Sequence, residues 1–379
     1  MKKFMKRKIS LILIILLALS SCTNKQEQSL GKEDGIRIVD ILEREIILDE
    51  PLDRVLIQGS GSGGPLMTMV YLDNDNFYKK IAGMDDGLRA HRNDLYKRMV
   101  KEIPALDDIK RISDFSKNDF SLEEILSLDA DGIIVPISYK AQLDSIEDKL
   151  DIPIIYINYH NQDFDDHLRS TEIIAKATGL DKNLDLLSSF YKEKTSYILD
   201  KVKDLDSKPS VYLEQGYDGE ILYGNSYGDQ KMWGKMINDS GGYNISGEVL
   251  GDEGANPIAE EFLLSKDPDM IILTGSSWLD KKDSLHMGFE TSKDEVRAKL
   301  DKYRQRTGWD KLSAIKNNKI YAIGHNLSRD MSDFSAYQYL AKTFHPQVFE
   351  DLDPEKDMKE FYDKFMPIAY EGTWFVSYE

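Results

Sequence analysis

The chain has 379 residues, 41% of them hydrophobic, with 49 Lys+Arg against 67 Asp+Glu and a single cysteine. That composition excludes a disordered tail, a disulfide framework, a cysteine-cluster metal site and a nucleic-acid binder that relies on net positive charge. The length suits two lobes of ordinary domain size, each able to bury its own core.

At the N-terminus, Lys2, Lys3, Lys6, Arg7 and Lys8 form a basic stretch without acids, which leaves 44 basic against 67 acidic residues, a net charge of −23, on everything after residue 21. An unbroken apolar run, Leu11 to Leu19, follows. It is too short to span a bilayer comfortably and has the length of a signal-peptide core. Leu19, Ser20, Ser21 and Cys22 then resemble the bacterial lipobox, in which the cysteine is lipidated and becomes the first mature residue. The alternative is an incidental or buried cysteine. More than one acyl chain anchors a protein stably without a transmembrane helix. Residues 22–35 read as a lipidated, polar tether, so the body is expected to work outside the cytoplasm, held to the cell membrane on its periplasmic side or at the surface.

The body contains an internal echo. SLEEILSLDADGIIV (residues 121–135) and AEEFLLSKDPDMIIL (259–273) align with Glu123 on Glu261, Asp129 on Asp267 and Asp131 on Asp269. Each reads as a short amphipathic helix, a polar turn and an apolar run typical of a strand buried on both faces. Further strands are expected at Arg54–Gln58, Ile152–Ile157, Ser210–Leu213 and Lys319–Ile323, with helices at Pro65–Leu72, Met232–Asp239 and Ala336–Thr343. The longest helical region, Asp165–Lys203, breaks at Gly179 and lies between the two echoing units. Alternating strands and helices imply parallel sheets covered on both faces. The expected fold class is α/β, two Rossmann-like lobes with parallel sheets joined by a long helical spine. Its segments are a signal peptide (1–21), the tether (22–35), an N-terminal lobe (36–160), a linking helix (161–205) and a C-terminal lobe (206–379).

Taken together, these segments resemble the substrate-binding lipoproteins of ABC importers, in the class joined by one rigid helix that carries iron-siderophore, haem and cobalamin complexes. IVDILEREIIL (38–48) is similar to that family's opening hairpin, PLDRV (51–55) to the approach to its first strand, GGYNI (241–245) to its "GG-N" segment and WDKLSAIKNNKIYAI (309–323) to a late helix-strand stretch. No one motif is highly specific; their order along the chain carries the resemblance. It implies an ABC permease and its ATPase as partners, and a role for Glu123 and Glu261 as carboxylates that dock on the permease. Glu260 is a neighbouring candidate for the second position, and the alternative role is a helix N-terminal glutamate favoured by the helix dipole.

In such an architecture the ligand lies between the lobes, at the carboxyl ends of strands. QGSGSGGP (58–65) follows a strand and leads into a helix, so Ser60, Gly61 and Ser62 are expected near the ligand, with free backbone N–H groups to hold an anionic or acceptor group. Arg89, His91 and Arg92 concentrate positive charge in an acidic body, either as a clamp for an anionic group or as a surface balance to Asp85 and Asp86. Tyr139 joins them from the first lobe; Gln215, Tyr217, Tyr227, Trp278 and Arg329 come from the second.

Enzyme readings find no support: there is no Gly-x-Ser-x-Gly elbow, no further cysteine and no His-Glu-x-x-His. No intrinsic cofactor is expected. His160 and His167 are read as exposed, leaving His91 as the only well-placed histidine, so a metal chelate or an oxyanion is favoured over a bare ion. Haem remains one form of chelate, with Tyr139, Tyr217 or His91 as axial ligand. The sequence therefore points to a monomeric, lipid-anchored binding protein for an iron chelate. The alternatives are a molybdate- or tungstate-type oxyanion, or a surface sensor or enzyme that does not serve an importer.

Overall fold

The computed structural model describes residues 35–60, 62–114 and 121–378. The leader, Cys22, Gly61 and nearly all of the tether lie outside the described residues, whereas the body, Ile36–Glu379, forms one compact unit.

Strands β1 (Ile36–Val39) and β2 (Glu45–Leu48) make an antiparallel hairpin. The first sheet follows, built from β3 (Val55–Ile57), β4 (Ile81–Met84), β5 (Lys110–Arg111), β6 (Gly132–Pro136) and β7 (Ile154–Ile157). Its order is β5-β4-β3-β6-β7 and every pairing is parallel. The second sheet uses β8 (Ser210–Gln215), β10 (Tyr243–Asn244), β12 (Met270–Gly275), β13 (Ile320–Gly324) and β14 (Phe375–Ser377) in the order β10-β8-β12-β13-β14. A short pair, β9 (Asn225–Tyr227) with β11 (Ala255–Pro257), stands beside it.

The fold is thus α/β with parallel sheets, with one departure: β14 runs antiparallel to β13. It sits on an edge of the sheet and is reached from β13 through the helices Phe334–Phe344 and Pro354–Phe365. Trp374, just before it, is buried at 2% exposure, stands edge-on to Phe289 and donates its indole N–H to the Glu371 carbonyl.

The echo has a backbone counterpart. Asp129 and Asp267 both occupy the left-handed region, at φ 49° and 43°. Two residues later, Asp131 accepts the N–H groups of Asp53 and Arg54 at 2.6 and 3.0 Å, and Asp269 accepts the N–H and hydroxyl of Ser210, each at 2.8 Å. In each lobe, therefore, the same aspartate ties the helix-to-strand turn to the approach of the lobe's first strand.

The expected spine is two helices. Phe164–Thr178 begins at Asp163, whose carboxylate accepts from the Asp165 and Asp166 amides, and ends at Gly179 in the left-handed conformation (φ 69°). It packs mainly on β1, β7 and the helix Pro65–Leu72 of the first lobe, and its start reaches the second lobe through Phe164 against Tyr337 and His167 against Asp333. The second helix, Leu184–Val202, makes the crossing: it touches Pro65–Leu72 on one side and Phe334–Phe344 on the other.

Alternate strand residues face different cores. Leu56, Ile133 and Val135 pack into one outer cluster, and Ile271 and Leu273 into another. Val55, Ile57, Ile134, Val211, Ile272 and Ile323 belong to a single cluster that runs through both lobes.

Candidate functional site

Both sheets reverse their strand order in mid-sheet, the first between β3 and β6 and the second between β8 and β12. Loops leaving the carboxyl ends of strands on either side of such a reversal turn in opposite directions and leave a crevice between them. A cavity of about 410 Å³ occupies this position between the lobes.

Every strand of the first sheet contributes at its carboxyl end: Gln58, Ser60 and Ser62 after β3, Asp85 after β4, Asp114 after β5, Tyr139 after β6 and His160 after β7. His91 and Arg92 arrive from the turn between two helices, Gly87–His91 and Asn93–Glu102. The second lobe supplies Gln215 and Tyr217 after β8, Asn225, Trp278 after β12, and His325, Asn326 and Arg329 after β13.

Two arginines connect the lobes at this cavity. Arg329, in the left-handed region at φ 64°, donates from Nη2 to Ser62 Oγ at 3.1 Å. Its backbone N–H reaches Gln162 Oε1 at 2.9 Å, and its carbonyl accepts the Gly63 N–H, also at 2.9 Å. Burial lowers its pKa, with Tyr227 and Asp330 pulling the other way, and a guanidinium stays charged regardless. Arg92, buried at 3% exposure, carries its charge toward Asp330 and hydrogen-bonds Tyr362, both in the second lobe.

The glycine loop places Ser60 and Ser62 on the cavity lining, and at Gly63 it also meets the second lobe. A Cβ on Gly63 would lie 2.6 Å from the His160 ring, its φ is 79°, and its N–H is taken by Arg329 rather than left for an anion. The glycine permits the close approach of the His160 ring from the same lobe.

The histidines require a correction. Neither His160 nor His167 is exposed. Burial, with Arg329 adding, holds His160 down to about 3, a neutral imidazole whose Nδ1 has no partner. His167 is fully buried behind the cavity, with Nδ1 3.2 Å from Asp333 Oδ2 and Nε2 3.0 Å from the Tyr159 carbonyl. Burial opposes its protonation, but Asp333 outweighs it and the pKa is raised. Nor is His91 the only histidine in place. His325 lines the cavity, hydrogen-bonded through Nδ1 to Thr274 Oγ1 at 2.8 Å, and burial depresses it well below the ordinary value. Among the described residues, no group of three or more His, Cys, Asp or Glu is arranged to hold a metal ion.

Of the other expected residues, Ser60, Ser62, His91, Arg92, Tyr139, Gln215, Tyr217, Trp278 and Arg329 line the cavity. Tyr217 and Trp278 stand edge to face, 5.2 Å apart. Arg89 points outward, paired with Asp86 at 2.6 Å, one turn from the buried Arg92. Tyr227 is 6% exposed and packs in the core behind Arg329, outside the lining. Glu123 and Glu261 are both exposed in the first turns of the echoing helices, whereas Glu124 accepts the Ser113 amide at 3.1 Å and Glu260 is half-buried. Gln58, Asp85, Gly87, Asp114, His160, Asn225, His325 and Asn326 are additions. All but Asn225 follow a strand, the same signal that singled out Arg329.

The site is a polar, aromatic-sided cleft that can surround a compact anionic or chelated solute. A family model described as "Periplasmic binding protein" matches residues 70–327. The solved TroA-like periplasmic binding protein FepB of Veillonella parvula is 37% identical, with 90% of this chain and 99% of that one covered, at a TM-score of 0.85. The molybdate-binding protein MolA of Haemophilus influenzae is 20% identical over 88% of this chain and 92% of its own length. The Bacillus subtilis protein YhfQ, named as an ABC transporter substrate-binding lipoprotein, is 24% identical over 84% and 91%.

Proposed function

The chain belongs to the periplasmic binding protein family, an extracytoplasmic substrate-binding protein of an ABC transporter, and from that premise we propose that its cargo is an iron chelate, a siderophore or haem-type complex. The observation that carries this reading is the cavity. About 410 Å³ gives room for far more than a bare ion or tetraoxyanion, and its lining offers two guanidiniums and the rings of Tyr139, Tyr217 and Trp278 without a converging set of metal ligands among the described residues. Guanidiniums suit the oxygens of a chelator, and aromatic faces its flat or apolar parts. A second reading, a molybdate-type oxyanion, is favoured by the likeness to MolA and by the same two arginines.

Cys22 would anchor the mature protein through lipid, in keeping with YhfQ's name, and the protein would act as a monomer. Glu123 and Glu261 would meet the permease; their exposure supports Glu261 over Glu260 for that role. No catalytic step is assigned.

Purification from iron-replete cells followed by visible absorbance tests the cargo, with a thermal-stability screen against ferric chelates, haem and molybdate alongside, since a tight ligand raises the melting temperature by mass action. A coloured protein, or one stabilised by a ferric chelate or haem, is expected. A colourless protein stabilised by molybdate alone would overturn the chelate reading.

A further inference from the structure

The lining of the cavity is not uniformly suited to anions. Asp85, at the end of β4, is 4% exposed. Its Oδ1 accepts the Gly87 N–H at 2.8 Å, but its Oδ2 is buried with no hydrogen-bond partner, and among the described residues it has no ion pair. A second buried acceptor, Gln58 Oε1, is likewise without a partner on the same lining. The Gly64 position has room for that oxygen only because it lacks a Cβ, which would lie 1.7 Å away. Asp114 lines the cavity too and adds negative charge near Asp85.

A buried carboxylate oxygen without a donor is costly, and a neighbouring carboxylate makes it costlier. Burial indeed pushes the Asp85 carboxyl up to about 6, with the Gly87 and Gly59 amides pulling the other way. An oxyanion brings no proton to either oxygen and adds negative charge beside Asp85 and Asp114, so it would be held by Arg92 and Arg329 alone. A nitrogen bearing several protons could relieve the cost, donating to Asp85 Oδ2 and Gln58 Oε1 together.

We propose that Asp85, helped by Gln58, is a specificity residue for a cationic nitrogen, so that the cargo is a chelate carrying an ammonium-type group as well as oxygens for Arg92 and Arg329. This rests on the chelate reading above and narrows it.

A matched pair of probes tests the assignment: the ferric complex of desferrioxamine B, which carries a free ammonium, and that of its N-acetyl derivative, which does not. Both are titrated calorimetrically into the full-length protein and into Asp85→Asn, with molybdate as a third probe. The wild type is expected to prefer the ammonium form by at least about tenfold, the effect of one charge-assisted hydrogen bond. Asp85→Asn should bring the two chelates to within about twofold and leave molybdate affinity unchanged or improved, as loss of one nearby negative charge requires. Equal binding of both chelates by the wild type would overturn the role of Asp85 while leaving the chelate reading intact. That comparison needs no variant, so a folding defect in Asp85→Asn cannot obscure it. Preference for the ammonium form that survives in a folded Asp85→Asn would also overturn it. Tight binding of molybdate with neither chelate bound would overturn both readings.

Discussion

A histidine buried without a counter-charge stays neutral, and His160 and His325 are both in that condition, beside the positive charge of Arg329. In the unfolded chain each titrates near its ordinary value, roughly 6.5. Below that pH the unfolded state binds protons that the folded state refuses, so the stability contributed by these residues is complete above about 6.5 and is lost as the pH falls toward 3. Asp85 and Asp330, both raised to about 6 by burial, and His167, raised by Asp333, act in the opposite sense over the acid range. Urea unfolding between pH 7.5 and 4.5 should therefore show His160→Gln/His325→Gln losing less stability on acidification than the wild type. The difference should reach at most about 1.4 kcal/mol per pH unit for each histidine removed; parallel curves would refute it. These histidines also mark what sequence reading could and could not reach. Arg329, Tyr139 and Trp278 were legible because each follows an apolar run that is plainly a strand. His160 follows one equally well, but it stands in a polar stretch, NYHNQD, that reads as surface. Its burial comes from Gly63 and the Arg329 loop, brought to it from far away in the chain.

Among the elements, the repeated turn is the one whose energetic role can be compared with itself. Asp131 and Asp269 hold equivalent amides at the approaches to β3 and β8, each after a left-handed aspartate. Replacing either by alanine removes hydrogen bonds whose donors are open to water, a net loss of about 0.5–1.5 kcal/mol. Asp131→Ala and Asp269→Ala should thus destabilise by similar amounts in chemical denaturation; a large effect from one and none from the other would mean that the turns are not equivalent. Long apolar strands such as β6 and β12, buried at every position, were readable directly, as were helices opened by proline or closed by glycine. β4 (IAGM) and β14 (FVS) were not: each is too short to display a period, and β14 takes its place from pairing with β13 across two intervening helices. The spine misled in a different way. Its helical periodicity was clear, but periodicity does not say which neighbour a helix packs on: the half before Gly179 lies mainly on the first lobe and touches the second through Phe164 and His167, whereas the half after it packs broadly on both.

At the scale of the molecule, a hydrophobic cluster common to both lobes and direct links across the cleft restrain their movement. Asp94 accepts the Phe289 amide at 2.8 Å, and Ser276 donates to the His91 carbonyl at 3.0 Å. A permease would meet a nearly fixed spacing between Glu123 and Glu261. The double variant Glu123→Ala/Glu261→Ala should slow cargo uptake in membrane vesicles by about tenfold or more, as loss of paired charges at a protein interface does. Cargo affinity in solution should stay within about twofold of the wild type, because neither residue lines the cavity. Normal uptake, or weakened cargo binding, would exclude the docking role. The link between Gly63 and Arg329 has a further consequence. It joins main chain to main chain, so part of the fastening at 329 does not depend on the side chain, which adds its own bond to Ser62. The left-handed backbone at this position suits asparagine or glycine better than arginine. A substitution at 329 would thus change the chemistry of the cleft and lose the bond to Ser62, while the main-chain bond to Gly63 keeps a seam between the two halves.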